Sequence, residues 1–151
     1  MSRKISRRVL QERLNYVEQM IEKITALPLA DRPAFFADER NVWTVESCLR
    51  RALEALLDAS RHILAKRFGV GVNEYKQIAV ELGRRGVLNA EEQVLLRRLV
   101  GYRNRIVHFY HEFGQDDMYK IATTHLDDLH KLAAVFLNWM NSHPEAVAED
   151  L

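Results

Sequence analysis

The chain has 151 residues and a mass of 17.6 kDa, which is the size of one domain and is sufficient to bury a hydrophobic core. Hydrophobic residues make up 48% of it and charged residues 28%, a balance too apolar for an intrinsically disordered chain. Its 22 basic and 21 acidic residues give a formal charge of +1, so any contact with nucleic acid must be local rather than driven by the charge of the whole molecule.

Apolar residues that recur every three or four positions predict helices along the chain. The first helix is predicted over about residues 6–27 and the second over about residues 42–68, with a turn that begins at Pro28 between them. Asn73 can cap a shorter third helix that runs through Leu82.

Two further helices complete the predicted architecture. Asn89 and Glu92 have the spacing of a capping box and open a helix that continues through Val107, and a last helix is predicted from about Met118 to Met140. No alternating strand pattern of useful length occurs. We therefore expect a single all-α domain over residues 1–151, an antiparallel bundle of four or five helices, and a homodimer because such helices often pair with a second copy.

The single cysteine, Cys48, excludes an internal disulfide and provides no thiolate cluster for zinc, so we expect a small core residue in a reducing compartment. Residues 1–10 lack the continuous apolar run of a signal peptide, and no apolar run of about 18 residues occurs in the chain. These features predict a cytoplasmic location and no membrane span.

Residues 101–110 place arginine, asparagine, histidine and tyrosine together on one predicted helix. The guanidinium fork matches phosphate oxygens, and imidazole transfers protons near neutral pH. Metal-free RNA cleavage needs a base for the 2'-hydroxyl, an acid for the leaving 5'-oxygen and cations for the charge at phosphorus. We therefore predict that Arg103 stabilises the transition state and that His108 acts as general acid or base. Asn104 would orient the phosphate or the imidazole. The product would be a 2',3'-cyclic phosphate or its hydrolysed form.

The spacing of the motif bears on how many copies take part. On an ideal helix, with about 100° per residue, Arg103 and His108 are about 140° apart, whereas Arg103 and Tyr110 nearly eclipse. One phosphate meets both Arg103 and His108 only if the arginine arm curls round, the helix deforms, or a two-fold partner brings a second motif alongside.

Two other interpretations remain open. Local basic clusters at residues 3–8, 84–85 and 97–105 are each typical of a solvated helix face, and His108 could be a histidine that faces a partner. The second interpretation is a metal-binding bundle. Because the Glu-x-x-His pairs of di-iron bundles do not occur in the sequence, we predict no metal and no cofactor. Its candidate ligands are His108, His111, Glu112, His125 and His130.

The string RNRIVHFY, from Arg103 to Tyr110, closely resembles the Arg-x4-His-x-Tyr signature of HepT-like toxins in the HEPN ribonuclease superfamily. The resemblance extends over about residues 44–132 and includes the helical segment ALEALLD at residues 52–58, whereas the first helix is unspecific. It implies an all-α HEPN-like bundle that acts as a homodimer, with Arg103 and His108 in an RNA-cleaving cleft at the dimer interface.

The resemblance also implies a type VII-like toxin–antitoxin system. Its antitoxin would be an MntA-like nucleotidyltransferase that uses ATP to add AMP to Tyr110, and the RNA substrate would be transfer RNA or messenger RNA. Asp58 matches an acidic position on the earlier helix, where it would support the site. The alternative is a non-catalytic HEPN-like helical module that dimerises or binds a nucleotidyltransferase partner or a nucleotide.

Overall fold

Helices dominate the structure, a computed structural model that describes residues 3–108 and 114–149. Two-residue strands, β1 (Ile5–Ser6) and β2 (Val147–Ala148), pair in parallel near the two ends of the described chain. The predicted all-α class is confirmed. The helices of the described residues are α1 (Arg7–Thr25), α2 (Arg32–Phe36), α3 (Glu39–Phe68), α4 (Tyr75–Arg84), α5 (Ala90–His108), α6 (Gln115–Thr124) and α7 (Leu126–Ser142), followed by a 3-10 turn (Pro144–Ala146).

Helix α3 is the central element, and its ends have clear local causes. At its start the Asp38 carboxylate accepts a hydrogen bond of 3.0 Å from the Arg40 backbone N–H. At its end Gly69 adopts a φ of 66°, which glycine tolerates without the Cβ penalty, and the Val70 N–H donates to the Leu64 carbonyl at 2.9 Å. The predicted helix over residues 42–68 is confirmed, with a start three residues earlier at Glu39.

Helix α1 runs antiparallel to α3, and α7 runs antiparallel to α1. The start of α1 lies beside the end of α3, because the Ser6 N–H donates to His62 Nε2 at 2.9 Å. Helix α7 runs against α1, since Arg7 donates to Asn141 at 3.1 Å near one end and His130 Nδ1 lies 2.8 Å from a Glu18 carboxylate oxygen near the other. The predicted antiparallel bundle is therefore confirmed.

The core lies between α3 and the helices packed on it. Cys48 is 7% exposed, as predicted for a core residue, and burial raises the pKa of its thiol. Apolar side chains from α1, α3 and α7 fill the centre; those fully buried and largest include Leu10, Ile24, Leu49, Leu53, Leu56, Ile63, Leu64 and Phe136. Across the described ranges, no helix combines the length and apolar character needed to cross a membrane.

The C-terminal half differs from the prediction of one helix over residues 118–140. Helices α6 and α7 meet at His125, whose backbone (φ −124°, ψ 1°) is not helical. The His125 N–H still donates to the Ile121 carbonyl at 2.9 Å, and Ile121 and Leu126 are both buried on either side of the bend. The hydrophobic periodicity thus continues across the break at His125, which is why the sequence pattern predicts a single helix.

Part of the N-terminal basic cluster holds the two ends of the chain together. The Arg7 guanidinium donates to the Glu149 carboxylate at 2.7 Å, next to the paired strands β1 and β2. Arg3 donates to the Phe68 carbonyl at 2.9 Å and so satisfies the last turn of α3. These two arginines have structural partners, which favours the interpretation of this cluster as a solvated, structural face.

Candidate functional site

Helix α5 carries the motif and begins as its sequence predicts. The Asn89 side chain accepts from the Glu92 backbone N–H at 2.8 Å, and the Glu92 carboxylate accepts from the Asn89 N–H at 2.9 Å. This reciprocal pair confirms the predicted capping box. The helix continues without a break to His108, so Arg103 and His108 share one element.

Helix α5 runs antiparallel to α3. Arg103 lies opposite Glu54, and three positions later Ile106 lines a groove with Glu46 and Arg50, which precede Glu54 on α3. Ile106 is 3% exposed and anchors this end of α5. The last turn of α5 therefore lies beside the first half of α3.

The Arg103 guanidinium is held on three sides. Its Nε donates to Glu54 Oε1 at 2.7 Å, and one Nη donates to Asn104 Oδ1 at 3.2 Å. Its central carbon lies 4.2 Å from the centroid of the Tyr75 ring, a cation–π contact. The side chain is 14% exposed. An arginine has five N–H groups, so the two hydrogen bonds leave others available to a phosphate.

A second arginine shares the aromatic ring. The Arg61 guanidinium carbon lies 4.4 Å from the Tyr75 centroid, and the Tyr75 hydroxyl donates to Glu54 Oε2 at 3.4 Å. Arg61 Nε is buried and has no hydrogen-bond partner among the described residues. Two guanidinium cations thus contact one tyrosine ring, and the Glu54 carboxylate pairs with that of Arg103.

His108 is the last residue of α5 and is exposed. Its side chain forms no hydrogen bond or ion pair with the other described residues, and the Arg103 guanidinium contacts Glu54, Asn104 and Tyr75. The structure therefore does not bring His108 to Arg103 within one protomer, in agreement with their angular separation on the helix. Tyr110, the predicted modification site, lies outside the described residues.

A groove of about 650 Å³ lies between α1 and α3 and includes Glu54. Asp58 lines it one turn beyond Glu54, and Glu54 rather than Asp58 reaches Arg103. The groove mixes both signs of charge, so it is not a uniformly basic track. Its lining residues are Glu12, Arg13, Tyr16, Arg50, Arg51, Glu54, Ala55 and Asp58.

The candidate metal ligands do not converge where the structure describes them. His125 Nδ1 lies 3.5 Å from Asp128, and His130 Nδ1 lies 2.8 Å from Glu18, at different places on the bundle. Among residues 3–108 and 114–149, no group of three or more histidine, cysteine, aspartate and glutamate side chains is arranged to hold a metal ion. Two of the candidates, His111 and Glu112, lie outside these residues.

Sequence analysis missed Glu54, Arg61 and Tyr75 as parts of this site. A partial signal existed on α3, because Glu54, Asp58 and Arg61 follow at spacings of four and three and so share one helix face. No comparable signal identifies Tyr75, which comes from α4 and reaches Arg103 only through helix packing.

The fold and the site define the class of protein as an all-α helical domain, with a partly buried, oriented arginine and an exposed histidine on one helix. The chain belongs to the HepT-like ribonuclease family, whose family model, "Ribonuclease HepT-like", matches residues 10–136. This match confirms the resemblance noted in the sequence. No curated protein matches the chain.

Solved structures share this fold. A HEPN toxin of Shewanella oneidensis, tri-AMPylated and in complex with an MNT antitoxin, is 22% identical with a TM-score of 0.76, over 86% of this chain and 97% of that one. YutE of Bacillus subtilis, a cytosolic protein of unknown function, is 17% identical with a TM-score of 0.78, over 98% and 99%. A chain of a toxin–antitoxin complex crystallised with AMP-PNP is 20% identical with a TM-score of 0.73, over 85% and 97%.

Proposed function

We propose that this chain is the toxin of a type VII-like toxin–antitoxin pair and a metal-independent endoribonuclease that acts as one domain. The observation that carries the proposal is the ribonuclease family match over residues 10–136, which includes both Arg103 and His108 on the unbroken helix α5. The oriented guanidinium of Arg103 and the exposed imidazole of His108 supply the cation and the proton-transfer group that phosphodiester cleavage requires.

The proposed reaction is an in-line displacement at phosphorus. One His108 imidazole removes the proton from the 2'-hydroxyl, the 2'-oxygen bonds to phosphorus, and the bond from phosphorus to the 5'-oxygen breaks. An imidazolium returns a proton to that leaving 5'-oxygen. The N–H groups of Arg103 that Glu54 and Asn104 leave available stabilise the negative charge on the phosphoryl oxygens. The products are a 2',3'-cyclic phosphate and a 5'-hydroxyl.

Two copies of the chain complete the proposed site. Arg103 packs against α3 and α4, whereas His108 is exposed at the end of α5, so one protomer presents the two groups in different directions. A two-fold partner that placed its own α5 alongside would combine two arginines and two histidines in one cleft. We therefore propose that the active unit is a homodimer.

We further propose that an MntA-like nucleotidyltransferase silences the enzyme by adding AMP to Tyr110. The proposal is supported by the Shewanella oneidensis neighbour, a tri-AMPylated HEPN toxin held by its MNT antitoxin. Tyr110 follows His108 by two positions, so an AMP group attached to it would place a bulky anion beside the motif. Its phosphate would compete with RNA phosphate for the arginine.

Cleavage of total cellular RNA in excess EDTA tests the nuclease. We expect purified, unmodified wild-type protein to cut RNA, and His108→Ala and Arg103→Ala each to lose about 100-fold or more of the rate, because each removes one of the groups that the transition state needs. Circular dichroism of the variants checks that the helices remain. If the unmodified wild-type protein cleaved no RNA, the result would instead support a non-catalytic HEPN-like module that dimerises or binds a nucleotidyltransferase or a nucleotide.

Intact-mass spectrometry tests the neutralisation. Wild-type protein co-expressed with its nucleotidyltransferase should gain mass in AMP increments, and Tyr110→Phe should not, because it lacks the acceptor hydroxyl. Toxicity of Tyr110→Phe should then persist in the presence of the partner. A wild-type mass that the active partner leaves unchanged would reject covalent neutralisation.

A further inference from the structure

We propose that Glu54 and Tyr75 are positioning residues that orient the Arg103 guanidinium for the scissile phosphate. This inference deepens the proposed function and rests on it. Neither residue belongs to the Arg-x4-His-x-Tyr motif: Glu54 comes from α3 and Tyr75 from the first turn of α4.

The two contacts restrain different motions of the guanidinium. The Glu54 contact of 2.7 Å to Nε fixes rotation within the guanidinium plane. The Tyr75 ring, 4.2 Å from the guanidinium carbon, covers one face and so fixes the tilt of that plane. With the tilt and the in-plane rotation both fixed, the edge that carries the two Nη atoms has a defined direction before any RNA binds.

The geometry of the ion pair indicates that Glu54 positions Arg103 and does not block it. A carboxylate that blocked a phosphate site would occupy the guanidinium edge bidentately, whereas Glu54 contacts Arg103 through Nε alone and leaves the Nη edge to Asn104 and other acceptors. Glu54 also accepts from the Tyr75 hydroxyl. Its two oxygens thus join the arginine to the ring that supports it.

A second guanidinium lies next to the first. Arg61 contacts the same Tyr75 ring, 4.4 Å from its centroid, and Glu54 pairs with Arg103. A phosphate that approached the Nη edge of Arg103 would meet a preorganised donor with a second guanidinium nearby.

Steady-state cleavage of a short RNA oligonucleotide measures the effect. We expect Glu54→Ala and Tyr75→Ala to lower kcat about 10- to 100-fold with little change in KM, since loss of an outer supporting contact misdirects the reactive group. Glu54→Gln, whose amide oxygen can still accept from Nε, and Tyr75→Phe, which keeps the ring, should each restore most of that loss. Glu12→Gln removes an equal charge from the same groove without touching Arg103 and should leave the rate unchanged.

The sign of the change separates positioning from inhibition. A higher rate or a lower KM in Glu54→Ala would show that the ion pair restrains the enzyme, and a rate equal to that of wild type in both alanine variants would show that neither residue acts on Arg103. Each result overturns the proposal while the nuclease activity of the wild-type protein stands.

A second readout does not depend on activity. In proton–nitrogen NMR spectra, a held arginine gives an Nε–H signal protected from exchange with water, and Arg103→Lys identifies the signal by its loss. We expect Glu54→Ala and Tyr75→Ala to abolish that protection and Glu12→Gln to retain it. If wild-type protein cut no RNA, the proposed function would fail, and this measurement alone would test whether Glu54 holds Arg103. An unchanged Arg103 signal in Glu54→Ala would overturn that role of Glu54, and loss of the signal would support it.

Discussion

Arg103 combines three restraints in one side chain, and each has a different physical basis. The carboxylate of Glu54 supplies a charge-assisted hydrogen bond, Tyr75 an aromatic face and Asn104 a neutral acceptor. A lysine at this position would keep the charge and lose the planar fork that contacts all three groups at once. At the scale of single residues, the contacts that fix the orientation of the Arg103 guanidinium therefore define the site.

His62 is a second residue whose state is set by its surroundings. Its Nε2 accepts a hydrogen bond from the Ser6 N–H, so this nitrogen carries no proton. Burial lowers the pKa of His62, and the nearby charges of Lys66 and Arg13 lower it further. The folded protein therefore resists protonation at a histidine that ties the start of α1 to α3.

This shifted pKa predicts a pH-dependent stability. Because the pKa of His62 is lower in the folded than in the unfolded chain, the unfolded chain binds the proton first as pH falls below about 6.5, and stability is lost until the folded state is protonated too. The melting temperature should fall between pH 7.5 and 5.5, and less so in His62→Gln, whose amide can still accept from Ser6. Equal slopes in both proteins would show that His62 does not control this loss.

Helix α5 carries Arg103 and His108, and one glycine lies inside it. Gly101 precedes Arg103 by two positions, and a Cβ built on it meets no heavy atom within 4 Å. A glycine in a helix interior costs about 0.5–1 kcal/mol relative to alanine, because its backbone loses more freedom on folding.

Gly101→Ala should therefore raise the free energy of unfolding by about 0.5–1 kcal/mol, measured by urea denaturation. Gly69→Ala is the matched comparison with the opposite sign. Gly69 has a φ of 66°, and an added Cβ would lie 2.6 Å from an Arg3 side-chain nitrogen, so that variant should be less stable than wild type. A Gly101→Ala protein no more stable than wild type would contradict the open helical environment on which the prediction depends.

At the scale of the whole molecule, the exposed side chain of Trp43 lies at the same end of the bundle as His108. Trp43 is 60% exposed and shares a face of α3 with Arg50 and Glu54, at spacings of seven and four. Because α3 and α5 are antiparallel, this part of α3 lies toward the last turn of α5. A large exposed aromatic side chain is typical of a protein interface, so we expect the second copy to pack on this face.

Light scattering coupled to size exclusion tests the dimer. Wild-type protein should have twice the mass of the chain, and Trp43→Glu should shift it towards the monomer and lower RNA cleavage, while its circular dichroism remains that of wild type. Leu137→Glu changes another exposed apolar residue, 38% exposed on α7, and should stay dimeric. A dimeric Trp43→Glu protein would place the interface elsewhere, and a monomeric wild-type protein would reject the two-copy site.

The sequence by itself determined what depends on neighbours in the chain. Several features follow from periodicity and from side chains within a few residues of one another: the long helices α1 and α3, the capping box at Asn89 and Glu92, and the position of Arg103 and His108 on α5. Only the tertiary structure decided the bend at His125 and the contacts of Arg103 with Glu54 and Tyr75. Glu54 is 49 positions from Arg103 in sequence, and Tyr75 stands on a separate helix, so the restraint on the guanidinium exists only after α3, α4 and α5 have packed.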